Sequence, residues 1–389
     1  MSLLRNRTLI AATLGHLSVD IYSGMLPLIL LVLTDPLRMS YAQVGLAAMC
    51  FSLASSIVQP LFGWIGDRRG TRPIAVMGVA AIAITVGVMR FVDQYVVLLV
   101  LALVAGLGSA AFHPQGATLA AQTPAAQRGS ALSIYMLGGN VGYAFGPIFG
   151  AGAFALAGGF MPEMIALIGL AQAVLVFWAL AAEHGSHADN PARVAVGETA
   201  RAALSVIVTL GLVIFCRSWV QSSVTTYIPQ VYKAQGFSTA EAGNILFSIL
   251  LPLSIGGLVG GTLSDKIGRR QVLIVSTALI GPALWGLLHA AGLASYVFGA
   301  LLGVAIGASL PVTLVMAQNL VPRGLGLMSG VALGFTFIAG AIGVGINGVV
   351  ADQLGLLPTM TMNALLPVAA AALAFLLPED RPRVVEQAR

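Results

Sequence analysis

Residues 63–72 read GWIGDRRGTR, and residues 261–270 read GTLSDKIGRR. Gly63, Asp67, Gly70 and Arg72 of the first stretch recur as Gly261, Asp265, Gly268 and Arg270 of the second, a constant offset of 198. The chain repeats. Other pairs fall close to the same offset: Pro114 finds Pro311 at 197, and Arg128-Gly129 finds Arg323-Gly324 at 195. Each motif copy separates two long apolar runs, so the repeat relates groups of helices and not single elements.

Outward from the motif, the composition sets the solvent. Of 389 residues, 58% are hydrophobic and 8% are charged, against roughly a quarter charged in a soluble domain. A soluble enzyme is excluded on that ground. A bilayer-crossing helix needs about 20 mostly apolar residues, and such runs lie near 8–33, 41–65, 74–91, 95–121, 131–158, 162–182, 203–231, 240–263, 271–290, 294–320, 326–350 and 356–378. The expected fold is all-α and integral to the membrane, with twelve transmembrane helices in two pseudo-symmetric six-helix bundles. The bundles are expected at 1–182 and 203–378, joined by a cytoplasmic linker at 183–202 and followed by a cytoplasmic tail at 379–389. The first apolar run continues past Leu33 with no small-residue cleavage pattern, so the first helix is expected to stay.

Charge gives the expected orientation. Of the 19 Lys and Arg residues, fifteen fall on one side, from Arg5 and Arg7 through Arg68, Arg69 and Arg72 to Arg381, Arg383 and Arg389. Arg38, Arg90 and Lys233 fall opposite, and Arg217 lies within a span. Short cytoplasmic loops collect positive charge, which places both termini in the cytoplasm. The net charge of +5 then reflects topology and anionic lipid headgroups, not nucleic acid.

Two cysteines inside apolar runs, Cys50 and Cys216, offer neither a disulfide framework nor a thiolate metal site. No His/Cys/carboxylate cluster has metal spacing, no Ser nucleophile has a matching base, and no phosphate-binding Gly-x-x-x-x-Gly-Lys loop is present. Catalysis, a metal, a cofactor and ATP as driver are therefore not expected. Two parallel repeats with a path at their interface describe a secondary transporter working by alternating access. Its expected partners are a small-molecule substrate, protons and membrane lipids, and the chain is expected to act as a monomer.

The loop stretch GWIGDRRGTR resembles the signature of the major facilitator superfamily, echoed in GTLSDKIGRR. FSLASSIVQP (51–60), GLGSAAFHPQGA (106–117), GGNVGYAFGP (138–147), RGLGLMSG (323–330) and LPEDR (377–381) together resemble the fosmidomycin resistance protein family of bacterial drug exporters. The resemblance implies proton-coupled export of a small drug-like or anionic compound across the bacterial inner membrane. An uptake symporter for a small organic acid stays open as the second reading, and a non-transporting membrane scaffold as a third.

Charges inside a span cost about 2.5–3.5 kcal/mol on insertion scales and persist where they face a partner or a wet cavity. Of 14 carboxylates, Asp20 alone falls well inside a span, with His16 four residues before it on the same helical face. A carboxylate beside an imidazole, which ordinarily titrates near about 6.5, reads as a proton-coupling pair. The family pattern has an amide just before the acid, where Val19 stands here.

Arg217 pairs with Asp20 or receives an acidic group of the substrate. His113 beside Pro114, and Gln115, Tyr22, Tyr135, Asn140, Trp219, Gln221 and Tyr227, are candidate cavity groups on the spans. Gly142, Gly146, Pro147 and Gly150 form a four-residue glycine ridge that serves close helix packing. The ridge also resembles the fifth-helix signature of superfamily antiporters. At the motif, Asp67 is expected to accept from a helix N-terminus of the opposite half and to pair with Arg72 or Arg128, latching the cytoplasmic side while the protein faces outward, with Asp265 and Arg323 as the looser copy.

Overall fold

A computed structural model describes residues 3–123, 127–155, 161–179, 200–320 and 325–379. Arg323, most of the expected linker and all but Glu379 of the expected tail lie outside the described residues. The described chain is almost entirely helical. Its α-helices are α1 (Arg7–Thr34), α2 (Tyr41–Ile57), α3 (Gln59–Arg69), α4 (Thr71–Val88), α5 (Tyr95–Ala121), α6 (Arg128–Ala155) and α7 (Met161–Ala179). They continue with α8 (Ala200–Ala234), α9 (Thr239–Ile267), α10 (Arg269–His289), α11 (Leu293–Leu320), α12 (Leu325–Leu354), α13 (Leu356–Met362) and α14 (Leu365–Ala374).

Two of the apolar stretches among the described residues are each built from a pair of helices. Helices α2 and α3 meet at a 40° bend, where Pro60 in the first turn of α3 cannot donate to the preceding helix. Residues 356–374 cross as one apolar unit made of α13 and α14. Among the described residues nine helices, or ten with the bent pair, are long and apolar enough to cross a membrane, and α7 contains a shorter apolar stretch, Ala166–Trp178. Side chains such as Leu258 (68% exposed) and Leu293 (80% exposed) show the apolar exterior a lipid-facing helix requires.

The repeat is visible in three dimensions within each copy. Gly70 and Gly268 both stand at positive φ, 91° and 100°, where a side chain would be strained. That residue type reverses the chain into α4 and α10. A Cβ at Gly63 would stand 3.7 Å from the Pro114 ring, and one at Gly261 3.7 Å from the Pro311 ring. Arg72 Nε donates to the Phe177 carbonyl at 3.0 Å with its guanidinium over the Phe177 ring. Arg270, its counterpart, donates to the Phe375 carbonyl and also pairs with Glu379 at 2.8 Å. Phe177 and Phe375 are themselves 198 residues apart.

The fold separates into two compact units, Met1–Asn190 with Thr226–Phe247 and Val344–Asp352, and Pro191–Thr225 with Ser248–Gly343 and Gln353–Arg389. In the first unit α6 lies directly on α1. A Cβ at Gly138 would sit 2.8 Å from the Thr13 carbonyl oxygen, one at Gly142 2.2 Å from that of Leu17, and one at Gly146 2.4 Å from the Gly24 backbone. The glycine ridge is a backbone-to-backbone seam. In the second unit Gly340 and Gly343 of α12 instead accommodate the side chains of Ser222 and Trp219. Among the described residues nothing lies within 4 Å of a Cβ at Gly334. Leu210, Val213 and Ile214 of α8 pack with Leu273, Val312, Met316 and Ala370 as that unit's core.

The first unit is also closed at the end opposite the motif. Ser40 and Gln43 form a reciprocal cap on α2, and Asp352 supplies both carboxylate oxygens to the same helix start. Its Oδ1 accepts from Tyr41 N at 2.7 Å and its Oδ2 from Ala42 N at 3.1 Å. A carboxylate at a helix N-terminus satisfies orphan donors and complements the dipole. Tyr227, fully buried, shares its hydroxyl proton between the carbonyls of Tyr41 (3.1 Å) and Val344 (2.9 Å). Gln230 donates to Thr34 at 3.0 Å. Asp352→Ala is expected to remove a cap worth about 0.5–2 kcal/mol and to lower the thermal transition, with Asp352→Asn closer to the parent in a differential scanning measurement.

Candidate functional site

Three helices of the first unit bring their polar side chains to one point. Asp20 of α1 lies between two imidazoles: its Oδ2 is 3.3 Å from His16 Nε2, and its Oδ1 is 3.2 Å from His113 Nε2 on α5. His16 is nearly buried and the other two keep a minor exposed edge, 17% for the Asp20 side chain and 26% for that of His113. The site is therefore largely, but not wholly, shielded from solvent. Gly139 of α6 makes room for it, since a Cβ there would stand 2.4 Å from His16 and 2.7 Å from Asp20.

The far nitrogens of both rings are fixed. His16 Nδ1 is 2.9 Å from the Tyr135 carbonyl, and the His16 ring stacks on Tyr135 with centroids 4.1 Å apart. His113 Nδ1 is 2.7 Å from the Ser109 carbonyl. The Tyr135 hydroxyl donates to the His113 carbonyl at 3.2 Å, which ties α6 to α5. A carbonyl only accepts, so each Nδ1 carries a hydrogen. A neutral imidazole of that tautomer presents a bare Nε2 lone pair to the carboxylate.

Two acceptors at 3.2–3.3 Å need a hydrogen between them. There are two such contacts. The geometry is satisfied when the three groups share two protons beyond the neutral-imidazole, ionised-carboxylate state, and each proton that leaves exposes one acceptor–acceptor repulsion. The ligand atoms of His16, Asp20 and His113 lie within 4.8 Å of one another, a set that sequence spacing alone did not bring together. The two imidazoles address different carboxylate oxygens, the arrangement of two separate proton bridges.

The remaining sequence candidates divide. Tyr135 belongs to the cluster. Gln115 is buried and donates to the Phe62 carbonyl at 2.7 Å, with Gly66 against its amide, so it fastens α3 to α5. Tyr22 is buried with its hydroxyl against Gly169 of α7. Asn140 is exposed. Tyr227 lies in the closed end described above. Trp219 packs edge-on to Phe215 at 5.6 Å. Gln221 accepts from Arg217.

At the motif, Arg72 is held on Phe177, and Arg128 Nε donates to the Ala121 carbonyl at 3.2 Å. Neither forms an ion pair with Asp67, which is exposed, as is Asp265. Pro114 frees the Ala110 carbonyl in α5, but His113 takes the neighbouring one of Ser109. Ser109 and Asp352 were not singled out from sequence. Asp352 carried a signal, an acid ending an apolar span; Ser109 carried none.

At least nine membrane-length apolar helices among the described residues, an internal repeat and a largely buried polar cluster in one unit are the features of a polytopic membrane transporter. The chain belongs to the Major Facilitator Superfamily, which it matches over residues 8–250 and 210–389. It is 34% identical to the MFS-type transporter YfnC of Bacillus subtilis over 96% of this chain and 93% of that one. It is 27% identical to the fosmidomycin resistance protein of Escherichia coli over 95% and 92%. In fold it is similar to a bacterial homologue of the human lysosomal transporter Spinster, with a TM-score of 0.80, 17% identity and 95% of each chain covered. It is a membrane transporter of small molecules and not an enzyme.

Proposed function

We propose that the protein is a proton antiporter that exports a small drug-like or anionic compound, fosmidomycin-like in class, by alternating access. One observation carries the reading: Asp20 sits between two imidazoles whose Nδ1 atoms are both committed to carbonyls, leaving two Nε2–carboxylate contacts that each need a proton. Similarity to the fosmidomycin resistance protein and to the multi-drug resistance efflux pump PmrA of Streptococcus pneumoniae, 25% identical over 80% of each chain, supports export. The charge bias supports a bacterial inner-membrane location with both termini cytoplasmic. The bundles run over 1–182 and 203–378, with 183–202 as the linker and 379–389 as the tail, and the monomer is the working unit.

Protons entering from outside load the cluster, substrate enters from the cytoplasm, and the two are exchanged. The test is a panel of candidate solutes, fosmidomycin among them, offered to proteoliposomes with an acidic lumen and with equal pH on both sides. Accumulation only with the acidic lumen supports antiport. Accumulation driven by an alkaline lumen identifies a symporter, and gradient-independent equilibration removes the proton coupling.

Gating is assigned to the motif. Asp67 is exposed here while the opposite end is tied through Asp352, Tyr227 and Gln230, and closing the motif end is the role we give Asp67, together with Gly63, Gly70, Arg72, Arg128, Asp265 and Arg323. Asp67→Asn is expected to slow turnover several-fold with little change in substrate affinity. A selective loss of affinity with unchanged spin-label distances across the motif end would contradict that role.

A further inference from the structure

Arg217 of α8 is fully buried in the second unit. A guanidinium keeps its charge at every relevant pH, so a carboxylate beside it is the expected arrangement in a membrane span. None of the described residues provides one. Its two partners are neutral and lie on its own helix: Nη1 donates to Gln221 Oε1 at 2.8 Å, and Nη2 donates to Ser218 Oγ at 3.0 Å. Nε, equally buried, has no partner among the described residues. Arg270 makes the contrast, because its guanidinium also leaves Nε unpaired but meets Glu379.

The hydrogens left over all point one way chemically. Arg217 Nε–H is unused. Ser218 accepts from the arginine through its oxygen and keeps its own O–H to donate. Gln221 spends its carbonyl on the arginine and keeps its amide N–H groups. Gln221 is half-buried while its two neighbours in the cluster are buried, so it forms the open rim. Three donor groups, with both side-chain oxygens engaged by the arginine and a permanent positive charge behind them, are the complement of an oxyanion.

Position in the repeat adds an independent argument. Ser218 stands 198 residues after Asp20, the offset of the motif copies. At the place where the first half carries a carboxylate, the second half carries a hydroxyl with a guanidinium beside it. The His16 and His113 counterparts at that offset are Ile214 and, one residue nearer, Leu310. The halves have diverged in charge: one holds protons, the other lacks every group needed to do so.

We infer that Arg217, Ser218 and Gln221 form an oxyanion subsite that receives a carboxylate or phosphonate of the substrate. This rests on the transporter reading above and names the class of its solute. The probe is phenylphosphonate, with its uncharged dimethyl ester as the matched control, added to the purified full-length protein in detergent with no gradient. Binding is read by calorimetry and by the emission of Trp219, two residues from the arginine.

The expected result is binding of the phosphonate and not of the ester. Arg217→Gln and Arg217→Lys should each weaken it roughly ten- to hundredfold, Lys because a point charge replaces a planar fork. Ser218→Ala, which removes one donor and leaves the charge, should weaken it by less. If Arg217→Gln does not fold, the Ser218→Ala and ester comparisons still decide. Equal binding of acid and ester, or phosphonate affinity unchanged in Ser218→Ala and Arg217→Lys, overturns the inference. Because no gradient is present, failure here with proton-driven transport intact leaves the antiport reading standing, and the reverse outcome separates the two the other way.

Discussion

Asp20→Asn is expected to abolish proton-driven accumulation while leaving downhill exchange of the same solute measurable. The amide keeps the size of the carboxylate, and its nitrogen donates to one imidazole Nε2, so the cluster remains packed between His16 and His113. What it loses is the capacity to carry a proton. A driving force of 100 mV is worth about 2.3 kcal/mol per charge, roughly fiftyfold in solute ratio for one proton per cycle. The mutant in proteoliposomes should fall from that ratio to equality. Normal accumulation by Asp20→Asn would move the coupling site elsewhere in the chain.

Gly142→Ala is the second large effect, and it acts on the fold. The added methyl would stand 2.2 Å from the Leu17 carbonyl oxygen, a backbone atom of α1 that cannot rotate away. Overpacking ordinarily costs about 1–3 kcal/mol, and a backbone contact within a seam shared by Gly138 and Gly146 belongs at the top of that range. Relief requires α1 and α6 to separate. The same shift would carry His16 and Asp20 away from Tyr135 and Gly139, so residual folded protein should also be weakly coupled. Gly334→Ala is the control: among the described residues nothing lies within 4 Å of a Cβ at that position, and its thermal transition should stay within the small range of an open-surface change, about 0.5 kcal/mol.

Much of the architecture is legible in the sequence for physical reasons that the structure makes explicit. The motif copies are recognisable because Gly70 and Gly268 hold a backbone conformation that excludes other residues, so their spacing to Asp67 and Asp265 is kept. The arginines two residues on are likewise fixed, each to a phenylalanine carbonyl. Apolar length reads the spans but not their breaks. The apolar runs resume directly after Gln59-Pro60 and after Asn363, so length alone merges what the helices divide.

At the site, sequence reasoning reaches as far as one helix turn. His16 and Asp20 are four apart and share a face, which periodicity reveals. His113 arrives from α5, and no local pattern reports that α5 and α1 present these groups to each other. The Tyr135 and Ser109 carbonyls that fix the two tautomers are backbone atoms, and no residue type encodes them. Arg217 is visible as a charge in a span, but the neutrality of its partners is a property of packing. Pairing of Asp67 with Arg72 or Arg128 is the expectation for a closed motif end, and here the two arginines are held by helix-end carbonyls instead.

Proton movement itself is the most direct measurement of the central claim. Proteoliposomes with an acidic lumen, loaded with a pH-sensitive dye and clamped at zero membrane potential, are given the solute that the panel identifies. The account predicts that the lumen turns alkaline as solute enters, at a fixed ratio of protons to solute, and that Asp20→Asn protein gives solute exchange with no pH change. Solute accumulation against its gradient with no proton leaving the lumen, or an undiminished proton signal in Asp20→Asn, would contradict it.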